Sequence, residues 1–402
     1  MRFTLRNARL IDAATDITRG AILINGPRIE AVESEDSQDA HHRVPQPDTN
    51  IDAQGMIIMP GFIDVHTHGG GGYNLHTIRA DEIRDFARWA PATGVTSFLI
   101  AVVGVPGSMP IQQLQAAVDA LDARITGAEP LGIHLEGPYI NVAKRGAHQP
   151  AWLRLPDEAE TETLLALTNG SLRLITVAPE LPGASAMIRR LVDAGVTVSM
   201  GHTDATYEQA KEAIELGVTH VTHCFNAMRP LQHRAPGPLA ALAGADWVRG
   251  ELIADGVHVH PAAMNALVRM LGPERTVVIT DALAGAGLAD ATFDFAGQPA
   301  RVIHGAAHLD DGAITGSILT MDQALRNVLL MTSVSLQQAA GMLTFNPARS
   351  AQVAQRKGCL QADYDADLAI FDQSMTLQAT FCRGEVAYAT GAWRERLSTL
   401  YE

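Results

Sequence analysis

The run PGFIDVHTHGGGG, residues 60–72, begins with apolar residues on both alternating positions and closes on two histidines and four glycines. A strand with one face in water alternates apolar and polar residues, whereas a strand buried on both faces reads as a near-continuous apolar run. Phe62, Ile63 and Val65 occupy both parities, so this run reads as a strand of a covered parallel sheet. Residues i and i+2 of a strand share a face. His66 and His68 therefore present two ring nitrogens side by side at the end of the run.

The same rhythm recurs along the chain. TSFLIAVV (96–103), LGIHLEGP (131–138), RLITVAPE (173–180), TVSMGHT (197–203), HVTHCFNAM (220–228), GELIADGVHV (250–259) and TVVITDAL (276–283) are further short apolar runs. Helical patterns fall between them, such as ADEIRDFARWAPATG, SMPIQQLQAAVDALDARI and DATYEQAKEAIELG. Eight strand–helix units predict an α/β chain built as a (β/α)8 TIM-like barrel. The alternative, an open doubly wound sheet, calls for a GxGxxG turn after the first strand, and GGGGYNL lacks that spacing.

The flanks read differently. FTLRNARLID, GAILINGPRIEAV and TNIDAQGMIIMP near the start, and DADLAIFD and LQATFCRGEVAY near the end, are β-type runs broken by turn residues. They predict a small flanking β-sandwich built from both chain termini, residues 1–58 and 355–402, beside a catalytic barrel over 59–354. Residues 284–316, with ATFDFAGQPARVIHG, read as an insertion of short β pieces before the last helix. SEDSQDAHHRVPQPDTN reads as a surface loop with His41 and His42 solvated.

The 402 residues, 47% hydrophobic and 18% charged, describe a globular chain rather than a disordered one. A formal net charge of −14 with no basic cluster speaks against nucleic acid. No run of about 18 apolar residues predicts a membrane span. MRFTLRNARLIDAATD alternates like a strand and lacks a signal-peptide core. Cys224, Cys359 and Cys382 are too few and scattered for a disulfide framework, so a reducing cytoplasm is the expected location.

In such a barrel the active site lies at the C-terminal strand ends. Those ends carry His66 and His68 on the first strand, Glu136 on the third, His202 on the fifth, His223 on the sixth and Asp281 on the eighth. Four imidazoles and two carboxylates aimed at one barrel mouth predict a metal centre. Glu136, His202 and His223 form a set suited to a catalytic zinc-type site with an open position. His66 and His68 can hold a second ion with Glu136 bridging. The expected cofactor is thus a divalent metal, one or two per subunit, Zn²⁺ or Fe²⁺. Asp281 either ligates or takes a proton from the attacking water. The four glycines are expected to let backbone approach a ligand. His134 reads as a second-layer partner or a packed histidine, and His220 as structural. His260, His304 and His308 have no constellation, Asp204 reads as a helix N-cap, and Cys224 points away from His223.

These residues resemble the amidohydrolase superfamily. The longer blocks GIHLEGPYINVAKRGAHQP, GHTDATYEQA, THCFNAMRPLQHRAPG, ADGVHVHP, VVITDALAGAGL, ITGSILTMDQALRN and FNPARSA are similar to the N-acetylglucosamine-6-phosphate deacetylases within it. The resemblance covers nearly the whole chain. It implies hydrolysis of the N-acetyl group of N-acetyl-D-glucosamine 6-phosphate to glucosamine 6-phosphate and acetate, by a homodimer. It places the primary metal ligands on Glu136, His202 and His223, the general acid/base on Asp281, and a histidine touching the acyl group on His148. Substrate and phosphate contacts fall on Asn226, Ala227, Arg234 and His258. Two positions depart from the pattern: Thr315 stands where the family has a small residue or serine, and Arg229 and His233 accompany Arg234. Competing readings are the N-acetylgalactosamine 6-phosphate deacetylase, an amidohydrolase of cyclic amides, and a non-catalytic protein that binds metal or senses a sugar phosphate.

Overall fold

The computed structural model describes residues 1–36, 49–121, 125–289, 292–303, 306–309, 312 and 314–400. His41, His42 and His304 lie outside them. Eight parallel strands stand in chain order in one sheet: Phe62–Asp64, Val95–Val103, Glu129–Glu136, Leu172–Val177, Thr197–Met200, His220–Val221, Arg249–Ile253 and Thr276–Ile279. All nine residues of Val95–Val103 are buried, as a strand covered on both faces requires. The ring closes just past the first and eighth strands. The Asp281 amide donates to the His66 carbonyl at 2.8 Å, and the His68 amide to the Ala282 carbonyl at 2.8 Å. Closure therefore brings the histidine pair against Asp281.

Each strand leads to a helix, from Ala80–Trp89 after the first to Met321–Met331 after the eighth. Helix Ala80–Trp89 buries Ile83, Phe86 and Ala87, one stripe of a 3.6-residue period. Before helix Met321–Met331, Thr292–Phe295, Gln298–Ile303 and Ala306–Leu309 form an antiparallel three-stranded insertion.

Several strands are shorter than their sequence runs. The first stops at Asp64 and the sixth at Val221, so His66, His68 and His223 stand on the turns beyond. The glycines also serve differently from expectation. Gly69–Gly72 do not line the cavity at the barrel mouth. A Cβ on Gly70 would lie 2.4 Å from Trp89 Cζ3, and Gly71 has a φ of +61° with Trp89 Cδ2 at 2.5 Å. The turn lacks side chains because an indole packs on it.

The terminal strands form one mixed sheet, with 57–60 between 2–11 and 368–371. Phe3 and Phe381 stand three strand spacings apart in that sheet, about 14 Å if it were flat. Their rings are 5.7 Å apart. The sheet therefore folds over on itself as a sandwich around Phe3, Leu5, Ile24, Phe381 and Trp393.

A buried ion cluster ties this sandwich to the barrel base. Lys357 is 2% exposed. Its ammonium lies 2.8 Å from Glu129, at the start of the third barrel strand, 2.9 Å from Asp365, and against Asp367. Removing one partner of such a cluster leaves buried charge uncompensated. Lys357→Met is expected to lower unfolding stability by about 3–5 kcal/mol, read by denaturant melts. An unchanged midpoint and slope would show that the cluster contributes nothing.

Candidate active site

Four site residues share one placement rule. His66, His202, His223 and Asp281 each stand two residues past the last residue of their strand. Three of them turn there through the left-handed region, His202 at φ +46°, His223 at +26° and Asp281 at +50°. Histidine and aspartate are among the residues that tolerate this region. The turn carries each side chain in over the barrel mouth. Glu136 instead ends its own strand.

Glu136 is the hub. Its Oε1 lies 3.0 Å from His202 Nε2, 3.1 Å from His223 Nε2 and 3.4 Å from His66 Nε2. Its Oε2 lies 3.2 Å from His68 Nε2 and 3.5 Å from His148 Nε2. Asp281 Oδ1 lies 3.2 Å from His68 Nε2 and 3.4 Å from His66 Nε2. All seven residues are buried. Burial alone would favour neutral carboxyls, but the surrounding imidazoles, His66 foremost, hold Glu136 well below the usual carboxylate range and lower Asp281 too. Burial pushes His202 down to about 4, which favours the neutral ring. For His68 burial is outweighed by hydrogen bonds to Asp281 and Glu136, and its pKa rises to about 8.

A cavity of about 290 Å³ opens above this hub. His68, Glu136, His148, His202, His223, Asn226, Ala227, His258 and Asp281 line it. His66 lies beneath the floor, fully buried. His258 donates from Nδ1 to Asp255 Oδ2 at 2.6 Å. Burial disfavours its charge, but Asp255 outweighs burial and raises the His258 pKa. Arg234 is exposed and does not line the cavity. Arg229 is held by Asp204 at 2.8 Å. Asp204 is not the N-cap of the next helix; Thr206 takes that place, in a capping box with Gln209.

The remaining histidines fall into supporting places. His134 packs edge-on against His66 at 4.4 Å and bonds Thr176 at 2.9 Å. His260 caps helix Pro261–Leu271, and His308 Nδ1 lies 3.3 Å from the Gly312 carbonyl. Cys224 is buried with its thiol pushed up by burial.

Some cavity residues were not foreseen. Phe295, Ile314, Thr315 and Gly316 reach the cavity from the insertion and the segment after it, whose sequence shows only weak β pieces. Glu251 lies below the floor, 2.9 Å from His66 Nδ1. A lone acid inside the apolar run GELI was the available signal, because a charge is almost never buried without partners.

The Amidohydrolase family model matches residues 57–387. The chain belongs to the amidohydrolase family. Among similar proteins of this family, the N-acetylglucosamine-6-phosphate deacetylase of Lysinibacillus sphaericus is 33% identical over 88% of this chain and 91% of its own length. The N-acetylgalactosamine-6-phosphate deacetylase of Escherichia coli O157:H7 is 34% identical over 86% of this chain and 90% of its own. Among solved structures, an alanine mutant of the Mycobacterium smegmatis N-acetyl-D-glucosamine-6-phosphate deacetylase in complex with N-acetyl-D-glucosamine-6-phosphate is also similar. It superposes with a TM-score of 0.88 at 33% identity, covering 97% of this chain and 99% of that one.

The floor of this amidohydrolase fits a divalent cation. Ligand atoms of His66, His68 and Asp281 lie within 4.8 Å of one another, as do those of Glu136, His148 and His202. His66 Nε2 is buried with no hydrogen-bond partner among the described residues. An orphaned imidazole nitrogen facing two carboxylates suits a cation, because a buried polar atom otherwise goes unsatisfied. No helix among the described residues is long and apolar enough to cross a membrane.

Proposed function

We propose that this amidohydrolase removes the N-acetyl group of N-acetyl-D-glucosamine 6-phosphate, giving D-glucosamine 6-phosphate and acetate. The observation that carries this is the convergence of Glu136, His202, His223 and Asp281 on the floor of one cavity, in a chain whose full-length relatives are deacetylases of such sugar phosphates. Glu136, His202 and His223 would be the primary ligands in this reading, and His66 and His68, with Glu136 beside them, would hold a second ion. Zn²⁺ is the proposed ion, supported by the carboxylate and imidazole donors. The working form is proposed to be a cytoplasmic homodimer.

A bound ion would supply Lewis acidity, lowering the pKa of a water toward about 7 and polarising the acetyl carbonyl. Asp281, ionised and facing the cavity, takes the proton from the attacking water as the new C–O bond forms. It then passes that proton to the amide nitrogen as the C–N bond breaks. The products are acetate and the free amine. His148 lines the cavity beside Glu136 and donates to the acetyl oxygen. His258, whose protonated form Asp255 favours, faces the phosphate with Asn226 and Ala227. Arg234 meets the phosphate only if its loop rearranges or a second copy of the chain brings it.

The test is acetate release from N-acetylglucosamine 6-phosphate beside the unphosphorylated sugar, with zinc-loaded and chelator-stripped protein. Turnover is expected to need metal and to favour the phosphate ester by at least about 10-fold, one charged hydrogen bond's worth. Equal turnover of both sugars would remove the phosphate role. The second reading, N-acetylgalactosamine 6-phosphate, is favoured by the near-equal identity to the Escherichia coli O157:H7 enzyme. The same assay with the galactose epimer decides between them.

A further inference from the structure

Glu251 sits mid-strand in Arg249–Ile253, 0% exposed, and touches none of the space a substrate enters. Its two oxygens collect three donors. His66 Nδ1 lies at 2.9 Å from Oε2 and the His223 backbone amide at 2.9 Å from the same oxygen. His220 Nε2 lies 3.1 Å from Oε1. Three hydrogen bonds on one buried acid far exceed what holding a strand requires, since the strand already pairs through its backbone with both neighbours.

We propose that Glu251 is a positioning residue: its carboxylate fixes His66 as the Nδ1–H tautomer, with Nε2 aimed at the ion site, and pins the turn that presents His223. An ionised carboxylate only accepts hydrogen bonds, so His66 must carry its proton on Nδ1. With Nδ1 so occupied, Nε2 is the nitrogen that faces Glu136 and Asp281, at 3.4 Å from each, and the one left for a bound ion to take. The His223 amide is held where φ is +26°, a strained conformation that persists only when the surroundings enforce it. A carboxylate behind a ligating histidine also raises the basicity of the ligand nitrogen. This inference rests on the reading that the floor holds a divalent ion, and not on the identity of the substrate.

Glu251→Gln keeps the shape. Its amide oxygen takes the place of Oε2, and its NH2 faces His220 Nε2. His220 then turns to the other tautomer, because its Nδ1 already lies 3.3 Å from Ser350 Oγ. What is lost is the charge behind His66. Zinc affinity is measured by competition with a chromophoric chelator for the wild type, Glu251→Gln, His66→Ala and the double variant. Glu251→Gln is expected to weaken zinc binding by about 10- to 100-fold. In the His66→Ala background the same change is expected to cost less than about threefold, since residues acting through one contact are not additive. No loss in the wild-type background, or an equal loss in both, would overturn the proposal.

If the Gln variant does not fold, nitrogen-15 NMR of the zinc-loaded wild type decides. The expected His66 signals are a protonated Nδ1 and a metal-bound Nε2; the reverse arrangement overturns the assignment. Failure of acetate release with these results intact would sink the substrate reading alone.

Discussion

Asp281→Asn is expected to lower turnover of N-acetylglucosamine 6-phosphate by about 10²- to 10⁴-fold, the range a positioned acid/base supplies, while the protein keeps its zinc. The expectation follows from where the side chain stands. Asp281 faces the cavity, and ring closure through its own amide to the His66 carbonyl fixes its backbone. Asparagine preserves size and one acceptor oxygen but cannot accept and return a proton. The measurement pairs turnover with metal content per chain. Near-full activity with metal retained would end the acid/base role. A loss of zinc in proportion to activity would instead make Asp281 a ligand, the other reading its contacts with His66 and His68 at 3.2–3.4 Å permit.

Much of this site was legible because chemistry and period coincide at strand ends. A parallel strand buried on both faces gives an apolar run, so a histidine or carboxylate just past the run stands out. His66, Glu136, His202, His223 and Asp281 all stood out in this way, and all meet at one hub. The residues that did not stand out depend on partners far away in sequence. Glu251 lies inside a run rather than at its end, and its partners His66 and His220 are 185 and 31 residues away. Asp255 gains meaning only from the ring of His258 beside it. The glycines after His68 were read as letting backbone approach a ligand, but their constraint comes from Trp89 on the following helix. Thr315 was visible as a departure in ITGS, yet its place on the cavity wall depends on how the insertion folds back.

Glu136→Gln is the second large effect and the more severe for the ion. Five imidazoles surround Glu136: His202 and His223 at 3.0–3.1 Å, His68 at 3.2 Å, His66 at 3.4 Å and His148 at 3.5 Å. Both oxygens are used, one toward each side of the floor. A carboxamide offers one acceptor and one NH2, so one side must face a donor where it needs an anion. Changing a residue behind the ligands costs about 10- to 100-fold in affinity, and removing the shared anion should cost more. Turnover is expected to fall by at least about 10³-fold, because the ion supplies several kcal/mol of transition-state stabilisation. Zinc binding and acetate release measured together give the check. A variant that binds zinc as tightly as the wild type would show that the histidines alone hold the ion. Glu136 would then act by orienting them, and the bridging role would be lost even if activity also fell.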